Sequence, residues 1–169
     1  MTPTDLVVTR WGARFMGRVF PCSIGRGGIL SARAKREGDG ATPEGTHRFV
    51  GMLYRPDRLS PSQLPDWALP FGPTDLWSDD PRDPDYNLMV RAPHPWSHER
   101  LTRPDPMYDL ILLTDWNWPQ AEPGRGSAIF IHTWRRPRHP TAGCVAFARD
   151  DLLWIANRIR HRTRLIIRG

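Results

Sequence analysis

Short apolar, β-prone runs recur along the whole chain, and proline or glycine interrupts nearly every interval between them before a helix of ordinary length could form. The runs fall at residues 6–9, 19–24, 47–54, 87–91, 110–114, 128–132, 145–147 and 165–167. The sequence holds 18 prolines and 14 glycines. Proline cannot donate to a helix or a strand ladder, and glycine brings no side chain to either. The expected fold is therefore mainly β with minor α: an antiparallel β-sandwich or curled barrel with a C-terminal helix. For that helix Asp150 is the expected N-cap, Leu152, Ile155, Ala156 and Ile159 recur at helical spacing, and Arg158, Arg160 and His161 suit the C-terminal end of the dipole. A second helix is expected near residues 31–37.

A chain of 169 residues fits one domain, residues 1–169, and can bury roughly 70% of its unfolded surface. Pro, Gly and Asp concentrate in residues 55–84, which read as a long ordered loop. Leu64, Trp67, Leu69, Phe71, Leu76 and Trp77 are its candidate anchors.

The formal net charge is +6, and Lys35 is the only lysine. Such a balance favours anionic partners. The arginines are dispersed apart from residues 135–139 and 158–164, so nucleic acid is not the expected partner. No apolar stretch reaches the ~18 residues of a membrane span, and the first ten residues lack the apolar core of a secretory signal. Two cysteines, Cys22 and Cys144, permit one disulfide at most, and none is expected.

Chemistry concentrates near the C-terminal end. Gly126-Ser127-Ala128-Ile129-Phe130-Ile131-His132-Thr133 reads as a buried strand delivering His132, and twelve positions later Cys144 follows Gly143. A thiol needs a base to become a nucleophile, and imidazole is the side chain suited to that near neutral pH. A cysteine in an apolar run can equally be a small core residue. His139, five positions before Cys144, is the rival base. Tyr86, Asn87, Trp134, Arg135 and Arg138 are candidate pocket residues. His94 and His98 have the spacing of a helical metal pair, but Pro93 and Pro95 bracket His94, so neither metal nor cofactor is expected.

Gly-Ser-Ala-Ile-Phe-Ile-His, then Thr141-Ala142-Gly143-Cys144-Val145-Ala146, then an acidic residue opening a helix, resembles the catalytic end of the YkuD (ErfK/YbiS) family of L,D-transpeptidases. Residues 35–45, with Thr42-Pro43-Glu44-Gly45, resemble the family's Thr-Pro-x-Gly segment. Asp79-Asp80, Tyr86-Asn87 and His98-Glu99-x-Leu101 resemble blocks of its short stand-alone proteobacterial branch. The resemblance implies a curled β fold, Cys144 as nucleophile, His132 as general base and then acid, the Thr133 carbonyl orienting that imidazole, and Gly143 opening the turn for oxyanion donors. It places residues 40–45 near the cleft, and has His98 and Glu99 either organise a loop or line the cleft. The implied partners are peptidoglycan stem peptides as donor and acceptor and carbapenem-type inhibitors, in the cell envelope, the periplasm.

Two positions depart from the usual Ser/Thr-His-Gly-Cys block: Ala142 replaces its histidine, and Ala146 stands where an arginine follows. Those groups would contact substrate carboxylates, so a 1,3 link through an L-alanine amine is as open as the common 3,3 link. Alternatives are an L,D-carboxypeptidase or endopeptidase using the same Cys/His site, or a non-catalytic basic module binding peptidoglycan or nucleic acid.

Overall fold

The computed structural model describes residues 1–169. The strands of its first half are β1 (Leu6–Thr9), β2 (Gly12–Phe15), β3 (Arg18–Phe20), β4 (Cys22–Ser23), β5 (Ile29–Leu30), β6 (Thr42–Pro43), β7 (Gly45–Tyr54), β8 (Leu69–Pro70) and β9 (Asp75–Ser78). There follow β10 (Met89–Arg91), β11 (His98–Arg100), β12 (Leu110–Thr114), β13 (Phe130–Thr133), β14 (Val145–Phe147), the helix α1 (Arg149–Ala156) and β15 (Arg164–Arg168).

The main sheet runs β3-β2-β1-β15-β7-β12-β13-β14-β4, with β8 added beside β7. Its two outermost strands are consecutive in the chain, because β3 ends at Phe20 and β4 begins at Cys22. That covalent link forces the sheet to curl until its ends nearly meet. Pro21 sits at the seam, where its missing N–H costs no ladder bond. The curled, mainly β fold with one C-terminal helix is the one the apolar runs predict. Most pairings are antiparallel, but β1 with β15, β13 with β14 and β7 with β8 are parallel.

Alternation along the central strands separates two apolar layers. Met52 and Tyr54 of β7, Leu110 and Leu112 of β12 and Ile131 of β13 join the larger cluster, with Leu6, Val8, Phe15, Phe20, Val145 and Phe147. Leu152, Ile155 and Ala156 of α1 close it. The intervening residues Leu53, Ile111 and Phe130 face the other way. There they pack with Phe71, Trp77, Leu101, Tyr108 and Cys144. A strand turns successive side chains to opposite faces, so Phe130 and His132 share the face that Ile131 leaves. A small sheet, β10-β9-β11, supplies Trp77 to that second layer.

Several local expectations change. Residues 31–37 form turns, because seven residues are too few to hold a helix alone and Lys35 is drawn into a buried pairing with Asp39. Ala148, not Asp150, is the N-cap of α1, and Asp150 and Asp151 lie in its first turn, where they suit the dipole. The helix ends at Ala156, so Arg158, Arg160 and His161 lie beyond it. Within residues 55–84 a 3-10 turn and the strands β8 and β9 break up the loop. Leu64, Phe71, Leu76 and Trp77 are buried anchors, whereas Trp67 and Leu69 are 39% and 61% exposed. Cys22 and Cys144 are both free thiols.

Candidate active site

Parallel pairing of β13 with β14 sets Ile131 against Val145 and His132 against Ala146. Cys144, one residue before β14, therefore falls beside Phe130, and the Phe130 N–H points at its Sγ at 3.4 Å. Sγ also donates to the carbonyl of Ala128 at 3.0 Å. Both His132 and Cys144 line one cavity of about 460 Å³.

The imidazole is fixed by its own strand. His132 Nδ1 lies 2.8 Å from the Thr133 carbonyl. A carbonyl has no proton to give, so Nδ1 carries the hydrogen and Nε2 is the basic nitrogen. Tyr108 meets the ring edge-on at 5.1 Å between centroids. Burial pushes the imidazole down to about 4 and the Cys144 thiol up to about 12. The resting pair is neutral thiol and neutral imidazole, with no preformed thiolate.

Gly143 has φ +141°, and a Cβ there would come within 3.0 Å of the Ala41 carbonyl. Only glycine fits this approach. Its carbonyl accepts from Thr42 Oγ1 at 2.8 Å, and the same hydroxyl accepts from Gly25 N–H at 2.8 Å. Residues 40–45 thus brace the Cys144 turn directly. That segment is in turn held by Asp39, whose Oδ1 takes the Ala41 N–H at 2.8 Å and the buried Lys35 ammonium at 2.8 Å. The Gly143 N–H is already given to Thr141 Oγ1 at 3.1 Å, so this amide is not free for an oxyanion in the resting turn.

Of the other residues singled out in the sequence, Arg135 and His139 line the cavity. Tyr86 and Asn87 do not; they stand behind it. Tyr86 OH donates to Glu37, whose Oε2 also accepts from Ser127 at 2.7 Å. Asn87 Oδ1 accepts from Ala128 N–H at 2.9 Å and from Trp77 Nε1 at 3.0 Å. Ala128 is held with φ +51°, an uncommon conformation for a residue with a Cβ. Trp134 and His98 are outside the lining, His98 Nδ1 being turned to the Trp96 carbonyl at 2.7 Å, and Arg138 belongs to a neighbouring depression with Arg10 and Trp11. His94 Nε2 lies 2.7 Å from Asp83 Oδ2.

The sequence signal missed Arg26, Arg103 and Tyr108, which also line the cavity; Asp79 and Glu99, seen in the sequence only as parts of family-like blocks, line it too. Arg26 arrives because residue 25 bridges Thr141 in parallel and the Arg26 N–H donates to the Thr141 carbonyl at 2.9 Å. Arg103 arrives on the loop after β11 and is gripped by Asp105 at 2.9 Å. Ala146 is fully buried between His132 and Ser23, so no long side chain could stand there.

The sequence model of the YkuD family, described as the L,D-transpeptidase catalytic domain, matches residues 6–167. The chain belongs to that family. Membership ties it to the peptides of peptidoglycan. No curated protein and no solved structure gives a significant match. No helix is long and apolar enough to cross a membrane.

Proposed function

We propose that this chain is a peptidoglycan L,D-transpeptidase of the cell envelope that works through an acyl-enzyme on Cys144. The observation that carries this reading is the pairing of a buried thiol with a tautomer-locked imidazole, His132 held on Thr133, at adjoining strand ends in one cavity. Because both groups rest neutral, the proton passes from Sγ to Nε2 as sulfur attacks the carbonyl of the third stem residue. Thiol rotation away from the Ala128 carbonyl precedes it. The imidazolium so formed then protonates the leaving D-alanine amine. An acceptor amine opens the thioester, and the new amide is the cross-link.

Substrate carboxylates still find cations without the usual histidine and arginine. Arg26, Arg103, Arg135 and His139 reach the cavity from other segments. A relocated cationic set changes how substrate carboxylates are held, and a 1,3 link through an L-alanine amine stays as open as the 3,3 link.

Intact-mass analysis after carbapenem treatment tests the nucleophile: one adduct on the wild type and on Cys22→Ser, none on Cys144→Ala. A folded wild type that takes no adduct, or a Cys144→Ala protein that keeps one, would remove this assignment. Sacculi digested after incubation with the enzyme report the reaction itself. New dimers joined through L-alanine mark the 1,3 type, whereas loss of tetrapeptides without new dimers marks a carboxypeptidase.

A further inference from the structure

We propose that Asp79 and Glu99 form the subsite that holds the acyl acceptor's ammonium group beside the Cys144 thioester. The proposal rests on the acyl-transfer reading above and assigns the substrate end that the site's other residues leave unplaced.

Beside Glu37, whose carboxylate is engaged by Tyr86 and Ser127, the lining carries two groupings of charge. One wall comes from the paired segments around residues 25–26 and 135–141 and carries Arg26, Arg135 and His139. Another comes from the small sheet and carries Asp79 and Glu99. Pairing of β9 with β11 sets Ser78 opposite His98 and Trp77 opposite Glu99, and the Asp79 N–H donates to the Ser97 carbonyl at 3.2 Å. The two carboxylates therefore leave neighbouring strands at one end of that sheet. Trp77, opposite Glu99 and two residues before Asp79, packs in the same apolar cluster as Cys144.

Asp79 Oδ1 is buried and has no hydrogen-bond partner. A buried carboxylate oxygen without a partner is costly, and an ammonium at the cavity-facing part of Asp79 offsets that cost through its charge. Glu99 Oε1 accepts from Tyr108 OH at 3.1 Å. Arg103 stands 3.6 Å from Glu99, but its guanidinium is held bidentately by the two oxygens of Asp105. No basic side chain pairs with Asp79. The donor peptide brings carboxylates, which suit the arginine wall, while the acceptor brings an amine that is protonated at neutral pH, which suits this one.

The step balances as follows. The bound ammonium gives one proton to the Glu99 carboxylate, and burial already favours that group's neutral form. The freed amine attacks the thioester carbon, the C–N bond forms and the C–S bond breaks. The second proton of the attacking nitrogen passes through His132 to the departing sulfur, and the products are the amide, the Cys144 thiol and protonated Glu99. Water then takes the Glu99 proton.

The experiment measures how the acyl-enzyme partitions between amine and water. A donor tetrapeptide is incubated with a peptide amine beginning in L-alanine, and separately with hydroxylamine, which is uncharged at pH 7.5. The ratio of aminolysis to hydrolysis comes from one acyl-enzyme population, so it does not depend on the acylation rate. In wild type, the cationic amine gives a saturable rise in the ratio. In Asp79→Asn and Glu99→Gln that ratio falls roughly ten- to hundredfold, the loss of a charge-assisted contact, while the hydroxylamine ratio moves far less. Equal falls for both nucleophiles, or an unchanged amine ratio in both variants, overturn the subsite. Asp79→Glu, which keeps the charge, retains more of the amine ratio than Asp79→Asn, and Asp79→Ser takes the place of an Asn variant that fails to fold. Absence of any acyl-enzyme in wild type overturns the transpeptidase reading instead.

Discussion

Thr42 Oγ1 donates to the Gly143 carbonyl at 2.8 Å, joining residues 101 positions apart across the floor of the Cys144 turn. Thr42 is fully buried, so neither the Gly143 carbonyl nor the Gly25 N–H that it also serves has water in reserve. Thr42→Val, which keeps the shape and removes both bonds, is expected to cost about 1–3 kcal/mol. Urea unfolding reads the loss, and carbapenem acylation slows with it. Thr42→Ser restores most of both.

Gly143→Ala meets two obstacles at once, a φ of +141° and the Ala41 carbonyl 3.0 Å from the new Cβ. Backbone strain alone is worth about 1–3 kcal/mol. The turn relaxes by moving Cys144, so the acylation rate is expected to fall by more than the change in melting temperature implies. Equal, small effects on both would show that the turn tolerates a side chain.

Asn87 accepts from Trp77 and Ala128 and donates to the Trp116 and Asn117 carbonyls at 3.1 and 2.8 Å. Its φ of +61° is one that asparagine tolerates better than alanine. Asn87→Ala is expected to cost about 3 kcal/mol, because several buried groups lose their partner together. Ala128 then loses its restraint, and since its carbonyl holds the resting thiol, alkylation of Cys144 by iodoacetamide should change in rate.

Stability should depend on pH through the buried imidazole. Above pH 6.5 His132 is neutral in both folded and unfolded chains, and its site contributes fully. As pH falls from 6.5 toward 4 the unfolded chain binds a proton that the folded chain refuses, so stability declines, by about 3 kcal/mol in all. His47, also held down by burial, adds to this acid limb. On the alkaline side Cys144 is raised from 9 to about 12, so the unfolded thiol ionises first and stability falls again above pH 9. Urea midpoints across this range check both limbs, and His132→Gln should flatten the acid one.

Much of the sheet could be read in advance because its central strands are self-contained apolar runs. The runs at 6–9, 110–114 and 145–147 match β1, β12 and β14 to the residue. Strand β2 escaped because charged Arg14 separates Ala13 from Phe15, and β9 and β11 escaped because they lie in prolyl sequence and belong, with β10, to a small sheet apart from the main one. The Cys144–His132 neighbourhood was legible for a similar reason: β13 and β14 are close in sequence and adjacent in space. Arg26, Asp79, Glu99 and Arg103 come from three distant segments, and their convergence depends on long-range pairings that composition does not encode. Tyr86 and Asn87 show the converse. Their motif was visible, but whether they face the cavity or brace it from behind depends on which polar atoms their partners leave open.

The place of β15 between β1 and β7 bears on how the protein comes into being. The hairpin of β1 to β3 has no hydrogen-bonded route to the central strands except through residues 164–168, the last of these strands to leave the ribosome. Until then the nascent chain carries two open strand edges that need the same missing partner. Closure is therefore a late event, and a chain cut short before residue 164 should be a target for chaperones and proteases rather than a smaller working enzyme.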